Sequence, residues 1–462
     1  MTLLDELLQA DGERIVAFGA QDDVTLETLR RRALTLAGQL QVGTTTRWAL
    51  CMSDSYHFTV ALLACAMAGH DVVLPGHQRL AALEALLEQE AFEGVICDEA
   101  LSLPCPELRV DNLAGDDAQP MSWPAPSLAP SLAPTLTLYT SGSSGQPKAI
   151  PKPWSLIEAE VRVQGALWGA ALTGARLFAS VSHQHIYGLL FRILLPLSLG
   201  VPFARRQTDY PEQLPGQCQS WALVSSPAFL SRLGEALNAS GCRWVASSGG
   251  PLAYEDARQC AARLGSLPVE IYGSSETGGI GWRQSRGPDC SWTPFPGVEV
   301  GCDERQALLL SSPFMDEPAP WRGSDRIALC GEPGQFRLLG RLDRIIKVEE
   351  KRISLDEVEQ RLLALDEVSD AAVLPLEQGG RQILGAALVL TPEGRASLAR
   401  LGHGAFLLAL RQQLRPWLEP VALPRSLRLF EALPLTGAGK RDGVALRRAF
   451  TLPAPEQPGE HS

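Results

Sequence analysis

Apolar residues recur at spacings of three and four in two segments near the start of the chain. The segments are LDELLQ and LETLRRRALTLAGQL, and this period predicts amphipathic helices. Further along, WALCM and DVVLP predict short buried strands on either side of an apolar helical segment, FTVALLACAMAG. Strand–helix–strand alternation of this kind favours an α/β layered fold over residues 1–118.

From residue 135 to about 342 the alternation resumes, with apolar strands that lead into serine and glycine. The five predicted strands are LTLYT, RLFASVS, WALVSS, RWVASS and VEIYG. Open α/β sheets bind ligands in the loops at the carboxyl ends of their strands. The recurrence of Ser- and Gly-rich loops after these strands therefore predicts one composite binding site.

The pattern divides the chain into two domains. Residues 119–134, QPMSWPAPSLAPSLAP, are too rich in proline for helix or sheet and are interpreted as a connector within the first domain, 1–342. After GRLDR the pattern of predicted elements changes. It consists of one helix (ISLDEVEQRLLAL), two strands (AAVLPLE and LGAALVL) and the broadly helical ASLARLGHGAFLLALRQQLRPWL. We expect a large multi-layer α/β N-terminal domain joined by a hinge to a small, mobile α+β C-terminal domain, 343–462.

Composition narrows the class of protein. Of 462 residues, 45% are hydrophobic and 20% are charged, which is enough apolar material for packed cores. The net charge of −11 argues against a protein that coats nucleic acid, although a small anion could still bind in a local basic pocket. The ten dispersed cysteines include no CxxC pair and are interpreted mainly as small buried hydrophobic residues.

The start of the chain and its longest apolar stretch bear on location. The opening MTLLDELLQADGERIV has acidic residues where a signal peptide has basic ones. The stretch from Ile186 to Phe203 is interrupted by Arg192 and Pro196, so no membrane span is expected. We therefore predict a cytoplasmic protein.

The first candidate for chemistry is the segment LYTSGSSGQPK, residues 138–148. Glycines allow backbone N–H groups to approach phosphate oxygens, hydroxyl groups donate further hydrogen bonds, and the lysine adds positive charge. The segment is not a Walker A loop, because no Ser or Thr follows the lysine, nor a G-x-S-x-G hydrolase turn. It predicts a phosphate loop made of Thr140, Ser141, Gly142, Ser143, Ser144, Gly145 and Lys148.

Seven segments, in order, resemble those of the adenylate-forming superfamily of acyl-CoA synthetases, nonribosomal-peptide adenylation domains and firefly-type luciferases. They are YTSGSSGQPK, HIYGLL (185–190), SSGGPL (247–252), IYGSSETGG (271–279), WRGSD (321–325), GRLDRIIK (340–347) and LPLTGAGKRD (433–442). Acyl-CoA and acyl-carrier-protein synthetases are the most similar members. Ser144 departs from the family's usual Thr, and Gly323-Ser324 departs from its usual Thr-Gly.

The resemblance implies a two-step reaction and a nucleotide site. A carboxylate attacks the α-phosphate of ATP to give an acyl-adenylate and pyrophosphate, and a thiol then displaces AMP to leave a thioester. Tyr272 is expected to stack on adenine, and Ser275 to hydrogen-bond the α-phosphate. Asp325 is expected to accept from the ribose hydroxyls, and Arg341 to contact ribose or phosphate. Glu276, a hard oxygen donor, is the expected Mg²⁺ ligand.

Lys440 and Asp343 have the remaining implied roles in catalysis and domain movement. Lys440 is presented by the glycine-rich TGAGKRD turn and would bridge the substrate carboxylate and the α-phosphate while charge develops. With Lys148 and Ser275 it forms the predicted catalytic set. Asp343 stands where the family has its hinge. The pattern of predicted helices and strands changes at residue 344, which independently places a domain boundary there.

The acyl substrate is expected beside His185, Gly250 and Gly278. A histidine on an apolar stretch can equally be a core residue, so both interpretations of His185 stay open. Glycines in SETGGIG, among them Gly278, Gly279 and Gly281, suggest room for an aromatic or alkyl group. The residues do not distinguish aromatic from fatty acids.

Glu350 departs from the family, which has glycine beside the path of the thiol's pantetheine arm. A glutamate adds bulk and charge, so either the arm passes differently or the acceptor is not free coenzyme A. An acyl carrier protein, whose acidic surface could meet Lys347, Lys351 and Arg352, is the alternative acceptor. An ordinary solvated helix edge explains the same basic run equally well.

The sequence therefore predicts an ATP-dependent acid–thiol ligase for an aromatic or fatty carboxylic acid. Its cofactors and co-substrates are ATP, Mg²⁺ and the thiol of coenzyme A or of phosphopantetheine on a carrier protein. One alternative is a catalytically inactive acyl- or nucleotide-binding regulator, against which the intact charged set argues. The other is a stand-alone amino-acid adenylation enzyme, against which the lack of a suitable Asp after residue 185 argues.

Overall fold

The computed structural model describes most of the chain, and every structural statement below concerns the residues it describes. They are residues 3–19, 23–76, 78–111, 134–141, 147–216, 220–234, 237, 239, 241–287, 290–316, 320–331, 334–341, 345–349, 351–378, 381–434 and 442–451.

The strands are numbered in chain order. They are β1 (Ile15–Phe18), β2 (Val24–Thr25), β3 (Arg47–Cys51), β4 (Asp71–Leu74), β5 (Gly94–Cys97), β6 (Glu107–Arg109), β7 (Thr135–Ser141), β8 (Pro147–Pro153), β9 (Arg176–Ala179), β10 (Phe203–Ala204), β11 (Trp221–Ser225), β12 (Cys242–Ser247), β13 (Val269–Ser274), β14 (Gly278–Arg283), β15 (Thr293–Pro294), β16 (Glu299–Cys302), β17 (Ala307–Ser311), β18 (Trp321–Leu329), β19 (Phe336–Arg341), β20 (Ile345–Val348), β21 (Lys351–Ser354), β22 (Val368–Gln378), β23 (Arg381–Leu390) and β24 (Ser426–Phe430).

The helices are numbered in the same way, with a π-helix (Leu189–Leu194) joining the sixth to the seventh and a 3₁₀ turn at Pro211–Gln213. They are α1 (Leu3–Gln9), α2 (Leu26–Leu40), α3 (Ser55–Ala68), α4 (Leu80–Glu88), α5 (Trp154–Leu172), α6 (Ile186–Gly188), α7 (Leu195–Leu199), α8 (Pro227–Leu230), α9 (Tyr254–Leu264), α10 (Leu355–Leu363), α11 (Pro392–Leu401), α12 (His403–Leu414) and α13 (Gly443–Thr451).

The chain divides into two compact units. The first comprises residues 1–140 and 148–343, and the second comprises residues 344–462 together with the short segment 141–147. Each unit has a hydrophobic core of its own, as the buried clusters below show.

Two mixed or parallel sheets form most of the first unit. The larger has nine strands in the order β15-β14-β13-β12-β11-β9-β10-β1-β2, with the strands from β13 to β1 running parallel. The smaller has six in the order β6-β5-β3-β4-β7-β8, of which β6 to β7 are parallel. Parallel strands need covered faces, and the apolar sides of α2, α3 and α5 pack into one continuous core with both sheets. The predicted α/β fold is confirmed.

Strands β16 to β19 form a separate four-stranded antiparallel sheet late in the first unit. Its strands have only a few fully buried positions, among them Leu310 and Ile327. The charged residues of this stretch therefore lie in a sheet, which the sequence pattern did not predict.

Helix α3 shows how local sequence sets an element's limits. Asp54 caps its start by accepting from the Tyr56 and His57 N–H groups at 2.8 and 3.4 Å. Its end is set by Gly69, which adopts the left-handed conformation at φ 72°. Arg205 donates to the free oxygen of Asp54 at 2.9 Å, so the cap also joins the helix to the segment after β10.

The second unit is an α+β arrangement. A β20–β21 hairpin is followed by α10 and by a sheet in the order β22-β23-β24, in which β22 and β23 are antiparallel and β24 is parallel to β23. The predicted single helical stretch after β23 is two helices, because Gly402 at φ 76° ends α11 and precedes α12. Val358, Leu388 and Phe406 lie in the buried core of this unit.

Most of the described free cysteines are buried within the first unit. Of the cysteines that the structure describes, five are buried: Cys51, Cys65, Cys97, Cys242 and Cys260. The prediction that they serve as small buried hydrophobic residues holds for these five.

None of the described helices has the length and apolar character that crossing a membrane requires, and the cytoplasmic location stays a prediction.

Candidate active site

Strands β9, β11, β12 and β13 are neighbours, so their carboxyl ends lie along one edge of the large sheet. Hydroxyl groups connect these ends: the Ser180 and Ser225 oxygens are 2.8 Å apart, and Ser248 Oγ donates to the Ile271 carbonyl at 2.8 Å. The predicted meeting of Ser-rich strand ends is confirmed for these four strands. Strand β7, which leads into the predicted phosphate loop, lies in the six-stranded sheet instead.

Lys148 and Glu276 meet although they are 128 residues apart in sequence. Lys148 lies in β8 and Glu276 in the turn between β13 and β14, and Lys148 Nζ is 3.4 Å from Glu276 Oε1. The lysine side chain is 59% exposed and the glutamate 24% exposed, so both can reach a ligand from solvent. A cation beside a carboxylate suits a site that binds a phosphate and its metal together.

The turn that carries Glu276 is closed by its own hydroxyl groups. Ser274 N–H donates to Thr277 Oγ1 at 3.1 Å, and Thr277 N–H donates to Ser274 Oγ at 3.2 Å. Thr277 is fully buried and also donates to the Gly278 carbonyl at 2.9 Å. These reciprocal bonds hold Ser275 and Glu276 on a short, defined turn.

A second lysine, the buried Lys152, also holds this turn in place. Its side chain is 4% exposed, and Nζ donates to the Glu276 carbonyl and to the Phe314 carbonyl, each at 2.9 Å. Burial lowers the pKa of Lys152, while the Glu160 and Glu276 carboxylates act in the opposite direction.

Glu160 is a buried carboxylate on α5 beside the start of β14. Its Oε1 accepts from the Gly279 N–H at 2.8 Å and from Gln164 Nε2 at 3.1 Å. Burial raises the pKa of Glu160 to about 7, against the influence of Lys152 and of these two donors, which favour the ionised form.

A side chain on any of three glycines of SETGGIG would clash with other parts of the protein. A Cβ atom on Gly278 would lie 2.5 Å from Glu160 Oε2, and one on Gly279 would lie 2.8 Å from the Phe295 ring. A Cβ on Gly281 would lie 2.8 Å from the Thr293 carbonyl oxygen. In the direction of a side chain these glycines therefore adjoin the protein's own atoms, and room for an acyl group beside them stays a prediction. A contact between the Gly278 backbone and the substrate stays a prediction.

Tyr272 and Asp325 are joined by a short hydrogen bond. Tyr272 lies in β13 and its hydroxyl donates to Asp325 Oδ2, in β18, at 2.6 Å. The ring is 6% exposed and packs near Trp292 and Phe336, at centroid distances of 5.5 and 5.9 Å. Asp325 pairs across the sheet with Arg341 in β19. The predicted ribose carboxylate and the predicted adenine residue thus lie together, and their roles stay predictions.

The two histidines before the helical stretch 186–199 have different surroundings. His185 is half-buried and lies at the residue before the start of α6, and its role at the acyl substrate stays a prediction, as does that of Gly250 after β12. His183 is 2% exposed, with Nε2 3.0 Å from the Met52 carbonyl oxygen and Nδ1 3.2 Å from Ser55 Oγ. Burial, aided by Arg192, lowers the pKa of His183 to about 3.

Several predicted site residues lie outside the described residues. They are Gly142, Ser143, Ser144, Gly145, Asp343 and Lys440, and the side chains of Ser141 and Arg341. Thr140, half-buried at the end of β7, is the last residue before this loop whose side chain is described. The phosphate loop, the hinge and the catalytic lysine therefore stay predictions from sequence.

Sequence reasoning missed Lys152 and Glu160. The signal for Lys152 is the alternation in PKAIPKP, where Lys152 shares a strand face with buried Ile150. The signal for Glu160 is helical spacing, since it follows Ile157 by three residues and precedes Gln164 by four on the buried side of α5. A charge on an otherwise apolar face marks a buried partner.

The donor set fits Mg²⁺ held jointly with phosphate. The described residues contain no group of three or more His, Cys, Asp or Glu side chains able to hold a metal by themselves. Mg²⁺ typically takes one or two protein carboxylates and completes its shell with phosphate oxygens and water. An accessible carboxylate, Glu276, beside Lys148, which is predicted to bind phosphate, meets that requirement.

A parallel α/β sheet with a carboxylate and a lysine at one turn after its strands is an arrangement typical of enzymes that bind a ligand at the carboxyl ends of the strands. Residues 5–304 match the family described as AMP-binding enzyme, and residues 357–440 match its C-terminal domain. The chain belongs to this family. It is an adenylate-forming acid–thiol ligase that uses ATP to activate a carboxylic acid.

Two curated relatives are each called 4-coumarate–CoA ligase. The protein from Rhodobacter capsulatus is 32% identical over 315 residues, which are 65% of this chain and 73% of that protein. The protein from Cereibacter sphaeroides is 30% identical over 312 residues, which are 66% of this chain and 69% of that protein.

Solved structures with low sequence identity share the fold. The o-succinylbenzoate CoA synthetase from Bacillus subtilis has a TM-score of 0.80 at 19% identity, covering 97% of this chain and 98% of that one. The amide bond synthetase from Marinactinospora thermotolerans has a TM-score of 0.77 at 19% identity, covering 97% of this chain and 100% of that one.

Proposed function

We propose that this ligase activates an aromatic carboxylic acid and transfers it to coenzyme A. The observation that carries the proposal is the identity of about one residue in three with two 4-coumarate–CoA ligases over about two thirds of this chain. The helical stretch after His185 supports it, because its aromatic residues Tyr187 and Phe191 have ring centroids 5.1 Å apart.

An aromatic cluster surrounds that stretch. Trp168 lies 5.8 Å from Phe191 and 5.7 Å from Trp244, measured between ring centroids. Two buried polar atoms of this region, Trp244 Nε1 and Gln164 Oε1, have no hydrogen-bond partner among the described residues. Such atoms favour a substrate that brings its own donor and acceptor, as the hydroxyl group of a hydroxylated aromatic acid does.

In the first step the substrate carboxylate oxygen forms a bond to the α-phosphorus and the bond to pyrophosphate breaks. Lys148 and Lys440 offer positive charge to the developing negative charge, and Ser275 donates to the α-phosphate. Asp325, held by Tyr272, accepts from the ribose hydroxyls and so sets the position of the nucleotide. Glu276 would hold Mg²⁺, which when bound neutralises charge on the phosphate oxygens.

In the second step the thiol sulfur forms a bond to the acyl carbon, AMP leaves and the thiol proton passes to solvent or a base. We propose that the predicted C-terminal domain, 343–462, turns about Asp343 between the steps and that Lys440 serves only the first. An acyl carrier protein is the alternative acceptor. The basic run that favoured it is partly engaged within the chain, since Lys351 Nζ lies 3.2 Å from Glu419 Oε1.

The test is pyrophosphate release with ATP and Mg²⁺ across hydroxycinnamic, benzoic, fatty and amino acids. Each acid is assayed without thiol, with coenzyme A and with a phosphopantetheinylated carrier protein. We expect release that depends on aromatic acids and is stimulated by coenzyme A. Preference for a fatty or amino acid would refute the proposed acid, and stimulation by the carrier protein alone would refute the proposed acceptor.

A further inference from the structure

Two buried titratable side chains hold the turn between β13 and β14 at its two ends. Lys152 donates to the Glu276 carbonyl at 2.9 Å, and Glu160 accepts from the Gly279 N–H at 2.8 Å. We infer that Lys152 and Glu160 are positioning residues for MgATP, because together they fix the turn that presents the Glu276 carboxylate. The inference rests on the proposed role of Glu276 as the Mg²⁺ ligand.

Lys152 ties the turn to a second segment. Its other bond goes to the Phe314 carbonyl at 2.9 Å, and the Phe314 side chain packs below Gly278, where an added Cβ would be 3.0 Å from Phe314 Cβ. The ammonium group therefore bridges two backbone segments that are almost 40 residues apart in sequence. A side chain without hydrogen atoms to donate would leave both carbonyls unpaired.

Glu160 holds the opposite end of the turn, at Gly279. One oxygen accepts from Gly279, while the other occupies the space that opens because Gly278 lacks a side chain. Gln164, one turn later on α5, donates to the same carboxylate at 3.1 Å and so fixes its orientation. The position of the Glu160 carboxylate is therefore set by helix α5.

The chemistry of these residues is unsuited to stability alone. Removing charges from water is costly, and apolar residues of similar size often stabilise a core as well or better. A cation that binds carbonyl oxygens and an anion that binds an N–H group define one arrangement of the turn between them. A defined turn matters for a carboxylate that must meet a metal at fixed distance and geometry.

The decisive experiment compares nucleotide binding with and without metal in Glu160→Gln, Lys152→Met and Lys152→Arg. Binding of MgATP, and of ATP in EDTA, is measured by calorimetry on the full chain. We expect about tenfold weaker binding of MgATP in E160Q and K152M, equivalent to ~1.4 kcal/mol, with binding of metal-free ATP unchanged. K152R, which keeps the charge, should bind MgATP more tightly than K152M.

Glu158→Gln is the matched control on the same helix. Glu158 is also a buried carboxylate, but it accepts from the Leu3 N–H at 2.7 Å and from Trp154 Nε1 at 3.1 Å, away from the turn. E158Q should lower the unfolding temperature and leave MgATP binding intact. If K152M does not fold, E160Q and K152R decide the question.

The inference is overturned if E160Q binds MgATP as tightly as E158Q, or if metal-free ATP binding falls by the same factor. Calorimetry needs no acid substrate, so it tests the inference even if the proposed aromatic acid is wrong. Absence of acid-dependent pyrophosphate release in the wild type would count against the proposed function alone.

Discussion

At the scale of the residue, Tyr272 combines packing with a precise polar contact. Its ring is almost completely buried near Trp292 and Phe336, while its hydroxyl reaches Asp325 at 2.6 Å. A hydrogen bond to a charged acceptor is stronger than one between neutral groups. The tyrosine is therefore placed to hold the carboxylate that we assign to ribose.

Replacing Tyr272 with Phe should weaken ATP binding. The change removes one hydrogen bond to Asp325 and keeps the ring, so we expect KM for ATP to rise about five- to thirtyfold (~1–2 kcal/mol) with kcat little changed. Steady-state pyrophosphate release at varied ATP measures this. Tyr56→Phe is the control, because the buried Tyr56 hydroxyl has no partner among the described residues. Equal KM values for both variants would contradict the positioning of Asp325.

Replacing Lys440 with Ala should abolish most adenylation. Loss of a cation at a developing anion typically costs two or more orders of magnitude, so we expect a fall of at least about 100-fold in acid-dependent pyrophosphate release. ATP binding should be retained. Arg441→Ala, the neighbouring cation in TGAGKRD, is the control and should keep most of the activity. An unchanged rate in K440A would remove the assigned role and favour a nucleotide-binding regulator.

At the scale of the element, His183 links the end of β3 to the strand-to-helix segment before α6. Its ring lies between the Met52 carbonyl and the Ser55 hydroxyl, and burial lowers its pKa to about 3. The folded protein therefore keeps this histidine neutral, whereas the unfolded chain protonates it below about pH 6.5. Stability from this group is complete above that pH and is lost as the pH falls from 6.5 towards 3.

The His183→Asn variant should show a weaker loss of stability in acid. Between pH 6.5 and 5.5 the wild type should lose ~1 kcal/mol of unfolding free energy more than the variant, because the unfolded state takes up a proton at His183 that the folded state does not. Urea unfolding at the two pH values measures the difference. Identical pH slopes would show that the folded protein also binds a proton at this position.

Strand β14 begins at a residue that tolerates no side chain. Gly278 has φ 68°, and an added Cβ would lie 2.5 Å from Glu160 Oε2 and 3.0 Å from Phe314 Cβ. Gly278→Ala should therefore lower the unfolding free energy by about 2–4 kcal/mol, combining backbone strain with a buried clash. Gly43→Ala is the control, because its Cβ would meet only one atom, at 3.9 Å. An unfolding midpoint for G278A equal to that of G43A would contradict the packing.

Periodicity predicted many elements because burial of one face dictates it. The helix predicted from LETLRRRALTLAGQL is α2, Leu26–Leu40, and each of the five strands predicted in the first unit after residue 134 is present. The sheet of β16 to β19 was missed because its strands alternate imperfectly and carry charges that resemble loops. The resemblance singled out Lys148 and Glu276 but did not predict their contact, and Lys152 and Glu160 depend on contacts between distant segments that no local pattern contains.

At the scale of the whole molecule, the two units have separate hydrophobic cores. The largest cluster of the first unit contains residues between Leu3 and Phe336, and the main cluster of the second contains residues between Ile346 and Leu429. A domain with its own core can fold independently. The second unit also includes Lys440, so in our proposal the catalytic set, Lys148, Ser275 and Lys440, is shared between the two units.

A chain that ends at residue 343 should fold and bind ATP without turning it over. We expect one cooperative thermal transition, ATP binding by calorimetry, and acid-dependent pyrophosphate release reduced by at least about 100-fold because Lys440 is removed. The full chain carrying K440A is the control and should match the truncated chain in rate. A truncated chain without a cooperative transition would show that the first unit depends on the second.

The buried cysteines have a consequence for the product of the first step. An acyl-adenylate acylates any thiolate it meets, and burial raises the pKa of Cys97 and Cys242 to about 12 and that of Cys51, Cys65 and Cys260 above the usual thiol range. At pH 7 a thiol of pKa 12 is ionised in about one molecule in 10⁵. These sulfur atoms are therefore protected from self-acylation, and the activated acyl group is left for the thiol that is brought to it.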